Sequence, residues 1–204
     1  MRHTLMAIAT AFVTTVSGVA MAQQTKSLAI GATLPATDKT FTNTSGGSDM
    51  AYYKGADKNG FLVVFSCNTC PFVVKNEGTI KRTLAYAKKN KVGVVIVNSN
   101  EAKREGEDSR DEMKKYAIAQ GYDVPYLIDK NSELADMFGA SHTPEIFLFD
   151  KNNKLVYKGA MNDNPGSPKE ATVAYINDAI DAMVAGKAPQ PAETKSIGCS
   201  IKRK

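Results

Sequence analysis

The residues best suited to chemistry are Cys67 and Cys70, in the run Cys67-Asn68-Thr69-Cys70-Pro71-Phe72. Two cysteines three apart, between an apolar run and a helical pattern, suit thiol–disulfide exchange. The thiolate is the attacking species, and a helix N-terminus lowers a thiol's pKa. The unpaired N–H groups and partial positive charge there favour the anion. On this reading Cys67 sits at the helix cap with its sulfur exposed and acts as the nucleophile. Cys70, one turn in and more buried, resolves the mixed disulfide. Pro71 fits the first helical turn, where a missing N–H costs least. Two blander readings compete. Half a zinc site needs a second Cys or His pair at close spacing, which the chain lacks. A structural disulfide closing so small a loop constrains the unfolded chain little.

Four further residues belong to the candidate site. His142 is the one histidine outside the first 22 residues. It reads either as a loop histidine or as a base, charge partner or metal ligand near Cys67. Thr143-Pro144 precedes an apolar strand, where proline is trans by default. Cys199 lies in the tail, either a spare thiol or a third redox partner reaching Cys67 or another protein.

The elements that position these residues follow from periodicity. Phe61–Phe65 is a continuous apolar run, the mark of a strand buried on both faces. A helix then runs toward Asn90, with Ile80, Leu84 and Ala87 on one face and Gly78 as a point of bending or interruption. Val92–Val97 is a second buried strand. Asn98–Asp108 is a polar loop, and Asp108 or Ser109 caps a helix carrying Met113, Tyr116 and Ala117, ended by Gly121. Val124–Ile128 is a short segment leading to a helix over Asn131–Phe138. The strand Glu145–Phe149, a turn over 150–153 and the strand Lys154–Lys158 form a hairpin. A final helix starts at Ser167 or Pro168 and ends at Gly186. The order implies an α/β fold with a central mixed sheet and helices on both faces.

The chain ends frame this domain. Arg2 and His3, the apolar stretch Leu5–Val19 and Ala20-Met21-Ala22 have the parts of a signal peptide, residues 1–22. The run is short for a membrane span, and no second one follows. Residues 23–204 are then the exported domain, with an N-terminal arm to about residue 50 and a tail over about 187–204. This predicts a periplasmic or secreted protein, a compartment where disulfides persist. The formal charge of +5 falls by one when Arg2 leaves, and the remaining basic residues are dispersed. Nucleic-acid binding would need a basic stripe, so no nucleic-acid partner is expected. At 43% hydrophobic and 23% charged, the chain can bury a core without disulfide staples.

Taken together, these residues resemble the thioredoxin-like superfamily, in particular exported redoxins of the alkyl hydroperoxide reductase/thiol-specific antioxidant type. The carriers are Phe61–Phe65 before Cys67–Phe72, Val94–Asn98, Tyr122–Leu127, Thr143–Asp150 and the tail Ile197–Lys202. The resemblance implies a thioredoxin-like fold and a disulfide oxidoreductase acting on protein thiols with a separate redox partner protein. It implies a redox-active Cys67–Cys70 disulfide and no other cofactor. It also implies a cis Thr143–Pro144 bond facing the active sulfurs, Thr143 backbone free to pair with a substrate strand, and His142 within reach of the sulfurs. Three departures stand out. Asn68-Thr69 replace the usual Gly-Pro, the strand Phe61–Phe65 lacks a buried acid (leaving Glu77 or Glu145 as substitutes), and Val64 stands where peroxiredoxins carry threonine. The alternatives are a peroxiredoxin-type thiol peroxidase and a copper metallochaperone using Cys67, Cys70 and His142, since thiolates and imidazole suit Cu(I).

Overall fold

The computed structural model describes residues 26–46 and 48–204, so the predicted signal peptide lies outside the described residues. The strands are β1 (Thr40–Asn43), β2 (Met50–Ala51), β3 (Gly60–Ser66), β4 (Val92–Asn98), β5 (Tyr126–Ile128), β6 (His142–Thr143), β7 (Glu145–Asp150), β8 (Leu155–Gly159) and β9 (Cys199–Ser200). The α-helices are α1 (Pro71–Lys89), α2 (Arg110–Gln120), α3 (Glu133–Phe138) and α4 (Tyr175–Val184). Seven strands form one mixed sheet in the order β2-β1-β5-β4-β3-β7-β8, and β6 pairs with β9 apart from it. Strands β3, β4 and β5 are parallel, and β7 runs antiparallel to β3.

The alternation of side chains along β3 divides the core in two. Leu62 and Val64 face one way and pack with α1, α2 and α4 through Val73, Ile80, Met113 and Ile176. Phe61, Val63 and Phe65 face the other way and pack with α3, the N-terminal arm and the tail through Phe138, Leu34, Phe41 and Ile201. Because both faces are covered, β3 reads as an unbroken apolar run. Helix α1 continues through Gly78 without a break, since Asn76, Thr79, Ile80, Thr83 and Leu84 around it are buried. Ser109 caps α2, its hydroxyl accepting from the Glu112 backbone N–H. Gly121 ends that helix with a left-handed φ of 66°.

Two expectations are corrected here. The last helix begins at Tyr175, not at Ser167 or Pro168. Asp163 accepts from the Thr172 and Val173 backbone N–H groups and the Thr172 hydroxyl, which offers this stretch an alternative to helix. The N-terminal arm, expected as extended chain and a loop, joins the sheet: β1 adds to β5, and Phe41 of β1 and Tyr52 are buried.

Phe138 makes edge-to-face or near-perpendicular contacts with Tyr52, Phe65, Phe147 and Phe149. Phe138→Ala should cost about 3–5 kcal/mol. Urea unfolding is expected to show a lowered midpoint with an unchanged slope.

Candidate functional site

Strand β3 ends at Ser66, and the chain turns through Cys67-Asn68-Thr69 before entering α1. The residue at the helix cap is Cys70, with Pro71 in the first turn. Cys67 is 1% exposed and Cys70 6%. The expected positions are therefore exchanged: Cys70, not Cys67, stands at the cap, and Cys67 is the more deeply buried and does not present its sulfur to solvent. The turn from β3 tucks it under the loop before β7.

That loop is centred on Thr143, whose peptide bond to Pro144 is cis, as the resemblance implied. The Thr143 hydroxyl lies 3.4 Å from Cys67 Sγ. Its carbonyl oxygen lies 3.3 Å from Cys70 Sγ. Cys70 has no thiol proton to offer it, because Cys70 is disulfide-bonded to Cys199. The expected Cys67–Cys70 disulfide is thus not the bond in this structure, and Cys67 is the free thiol. Sequence spacing favoured the near neighbour. Strand β9, pairing antiparallel with β6, brings in a sulfur from 129 residues away.

Burial pushes the Cys67 thiol above its ordinary value of 9.0. The Asp108 carboxylate adds to this by charge repulsion. The Thr143 hydroxyl and the backbone N–H groups of Cys70 and Thr69 act the other way without overcoming the burial. The backbone donors expected to acidify the nucleophile are present, but desolvation of the thiolate outweighs them.

Asp108 is the functional residue the sequence reading missed, having placed it only as a helix cap. It is fully buried. Its carboxylate accepts from the Asn68 backbone N–H at 2.9 Å, from Asn98 Nδ2 at 2.7 Å and from Asn100 Nδ2 at 2.9 Å. The Tyr126 hydroxyl donates to Asn68 Oδ1 at 2.9 Å. This network clamps the loop between the two cysteines against the ends of β4 and β5. The polar run from Asn98 to Asp108 was its visible trace in the sequence. The acids proposed as substitutes do other work. Glu145 accepts from the Ser141 and His142 backbone N–H groups, and Glu77 accepts from the Tyr116 hydroxyl.

His142 is near the site through its backbone, which pairs with Ser200. Its ring nitrogen Nδ1 bonds to the hydroxyls of Ser141 (2.8 Å) and Ser196 (3.1 Å). The ring is held by these hydroxyls instead of by a sulfur. Among the described residues, no three His, Cys, Asp or Glu side chains are grouped as a metal site requires, so the Cys67, Cys70 and His142 set expected for copper is not assembled.

A mixed sheet that places two cysteines at the head of a helix, opposite a cis-proline loop, defines a thioredoxin-like protein. The redoxin family model matches residues 29–176, and the chain belongs to that family, whose members are oxidoreductases. A crystal structure of an uncharacterized conserved protein from Geobacillus kaustophilus is 32% identical, with a TM-score of 0.79, covering 86% of this chain and 93% of its own. One of a hypothetical protein from Sinorhizobium meliloti 1021 is also 32% identical, with a TM-score of 0.78, covering 88% and 97%. The thioredoxin domain of a thiol-disulfide oxidoreductase from Bacteroides vulgatus shares the fold at 21% identity and a TM-score of 0.52, covering 71% and 97%. The comparison with curated proteins gave no match.

Three outcomes follow from this geometry. In the native chain Cys67 should react with iodoacetamide at pH 7 about tenfold or more slowly than in urea, where the thiol is ordinary. The native rate should still be rising with pH at 9.0, where that of an ordinary thiol levels off. The sign for stability is fixed by the same shift. The fold favours the neutral thiol, so the stability tied to Cys67 is complete below the unfolded thiol's pKa and is lost as pH rises through the higher folded value. Asp108→Asn would turn an amide nitrogen toward one or two of these three donors, since two meet Oδ1 and one meets Oδ2. It should lower stability by about 1–3 kcal/mol in urea unfolding.

Proposed function

We propose that this chain is an exported thiol–disulfide oxidoreductase, working in the periplasm or outside the cell, that acts on protein thiols through Cys67 and Cys70. One observation carries the reading: a free thiol, Cys67, and a disulfide sulfur, Cys70, lie against the same residue, Thr143, at the head of α1. Exchange needs a thiol beside a disulfide.

The cycle begins with the fully reduced chain. A partner protein that enters this loop lets Cys67 lose its proton and attack one sulfur of the partner's disulfide. The Cys67–partner bond forms, the partner's own bond breaks, and the displaced partner sulfur takes up a proton. The Cys70 thiolate then attacks Cys67 Sγ. The partner leaves with both its thiols, having gained two electrons, and Cys67 and Cys70 are joined. Run backward, the same steps oxidise a dithiol. A separate redox partner protein restores the starting state. The Thr143 hydroxyl, 3.4 Å from Cys67 Sγ, is placed to donate to the thiolate as it forms. No helix among the described residues is long and apolar enough to cross a membrane.

Cys70→Ser should accumulate mixed disulfides at Cys67 when the reduced protein meets a disulfide substrate such as insulin, resolved by non-reducing electrophoresis. Cys67→Ser should accumulate none, and its insulin reductase rate should fall by about tenfold or more, since the attacking thiolate is gone. Equal trapping by both variants would overturn the assignment of roles.

A further inference from the structure

The tail is fastened on both sides of Cys199. Upstream, Thr194 hydrogen-bonds through its backbone N–H to the Lys158 carbonyl at 3.0 Å, and its hydroxyl meets the Tyr157 hydroxyl at 2.7 Å and accepts from the Ala160 N–H at 3.0 Å. Downstream, the buried Ile201 donates its N–H to the Ser141 carbonyl at 3.0 Å. The Lys202 N–H donates to Asn100 Oδ1 at 2.9 Å. Asn100 in turn donates to Asp108, the carboxylate that holds the Cys67–Cys70 loop. Gly198 is pressed so closely on the Thr143 carbonyl that a Cβ there would collide with it. Cys199 pairs directly with Thr143 across β6 and β9. These contacts hold the Cys199 backbone in place independently of its sulfur, so a Cys199 thiol released from Cys70 stays beside it.

We propose that Cys199 is a third catalytic thiol, which takes over the disulfide from Cys67. This deepens the function proposed above and rests on it. In the step, the Cys199 thiolate attacks Cys70 Sγ of a Cys67–Cys70 disulfide. The Cys70–Cys199 bond forms, the Cys67–Cys70 bond breaks, and Cys67 leaves as a thiolate that takes the proton Cys199 gave up. One disulfide and one thiol exist before and after, so no external oxidant or reductant enters. The state produced is the one described here, with Cys70 joined to Cys199 and Cys67 free. The sulfur that attacks the substrate is thus returned to its thiol form while the two oxidising equivalents are kept on the tail. The same exchange in reverse re-forms Cys67–Cys70.

The test is a disulfide map of the full-length oxidised protein, with no substrate present, so it stands or falls apart from the trapping of a partner at Cys67. After acid quench and alkylation, the bond expected is Cys70–Cys199 with Cys67 labelled. A Cys67–Cys70 bond with Cys199 labelled would overturn the proposal. Prolonged native incubation with iodoacetamide at mildly alkaline pH then separates a relay from an inert cross-link. In the relay the minor Cys67–Cys70 form exposes the Cys199 thiol. Label should therefore build up on Cys199 about tenfold or more beyond that in Cys67→Ser, which has no internal attacking thiol. Equal labelling of Cys199 in the two proteins would overturn the proposal. Gly198→Val, with folding confirmed by circular dichroism, should unseat the strand and shift the map to Cys67–Cys70. Retention of Cys70–Cys199 in that variant would likewise count against it.

Discussion

Three cysteines meet in this protein because three backbone segments converge on Thr143. The turn after β3 sets Cys67 Sγ against its hydroxyl, the head of α1 sets Cys70 against its carbonyl, and the tail pairs Cys199 with its backbone. None of the three segments could hold that position alone. Strands β6 and β9 are two residues each, far too short to be stable as an isolated pair. They persist because Ile201 is buried in the same core cluster as Phe65 of β3 and Phe138 of α3. Hydrophobic burial at one residue thus positions a sulfur two residues away.

The buried carboxylate of Asp108 ties the other two segments together. It accepts from the loop between Cys67 and Cys70 and from Asn100, which fastens the tail. A buried carboxylate is tolerated only where its acceptor sites are filled, and three donors fill them here. The same charge has a chemical consequence, since it adds to the burial that keeps the Cys67 thiol protonated. The network that organises the site therefore also restrains its thiol. The low-dielectric interior that strengthens these hydrogen bonds also disfavours an unpaired thiolate.

Much of the scaffold was legible before the structure. The runs Phe61–Phe65 and Val92–Val97, the helix over 71–89, the Ser109 cap and the hairpin after residue 145 all emerge at the places their periodicity and turn chemistry indicate. Each is governed by interactions within a few residues, or by burial so complete that an apolar run reports it. The start of α4 was misread because Asp163 competes for the backbone from nine and ten residues away. The short strands β1 and β2 were missed because so few residues carry no period.

The site divides along the same line. The amino-acid sequence by itself determined that two cysteines stand three residues apart at a strand-to-helix junction, that Pro71 opens the helix, and that a third cysteine follows in a tail with little periodicity. Only the tertiary structure decided which sulfurs pair, which one is the most deeply buried and which carboxylate governs it. Pairing depends on strand registry between residues separated by 129 positions, and the state of a thiol depends on how much water the surrounding fold removes. Neither quantity is a property of neighbouring residues, so neither is written in a local pattern.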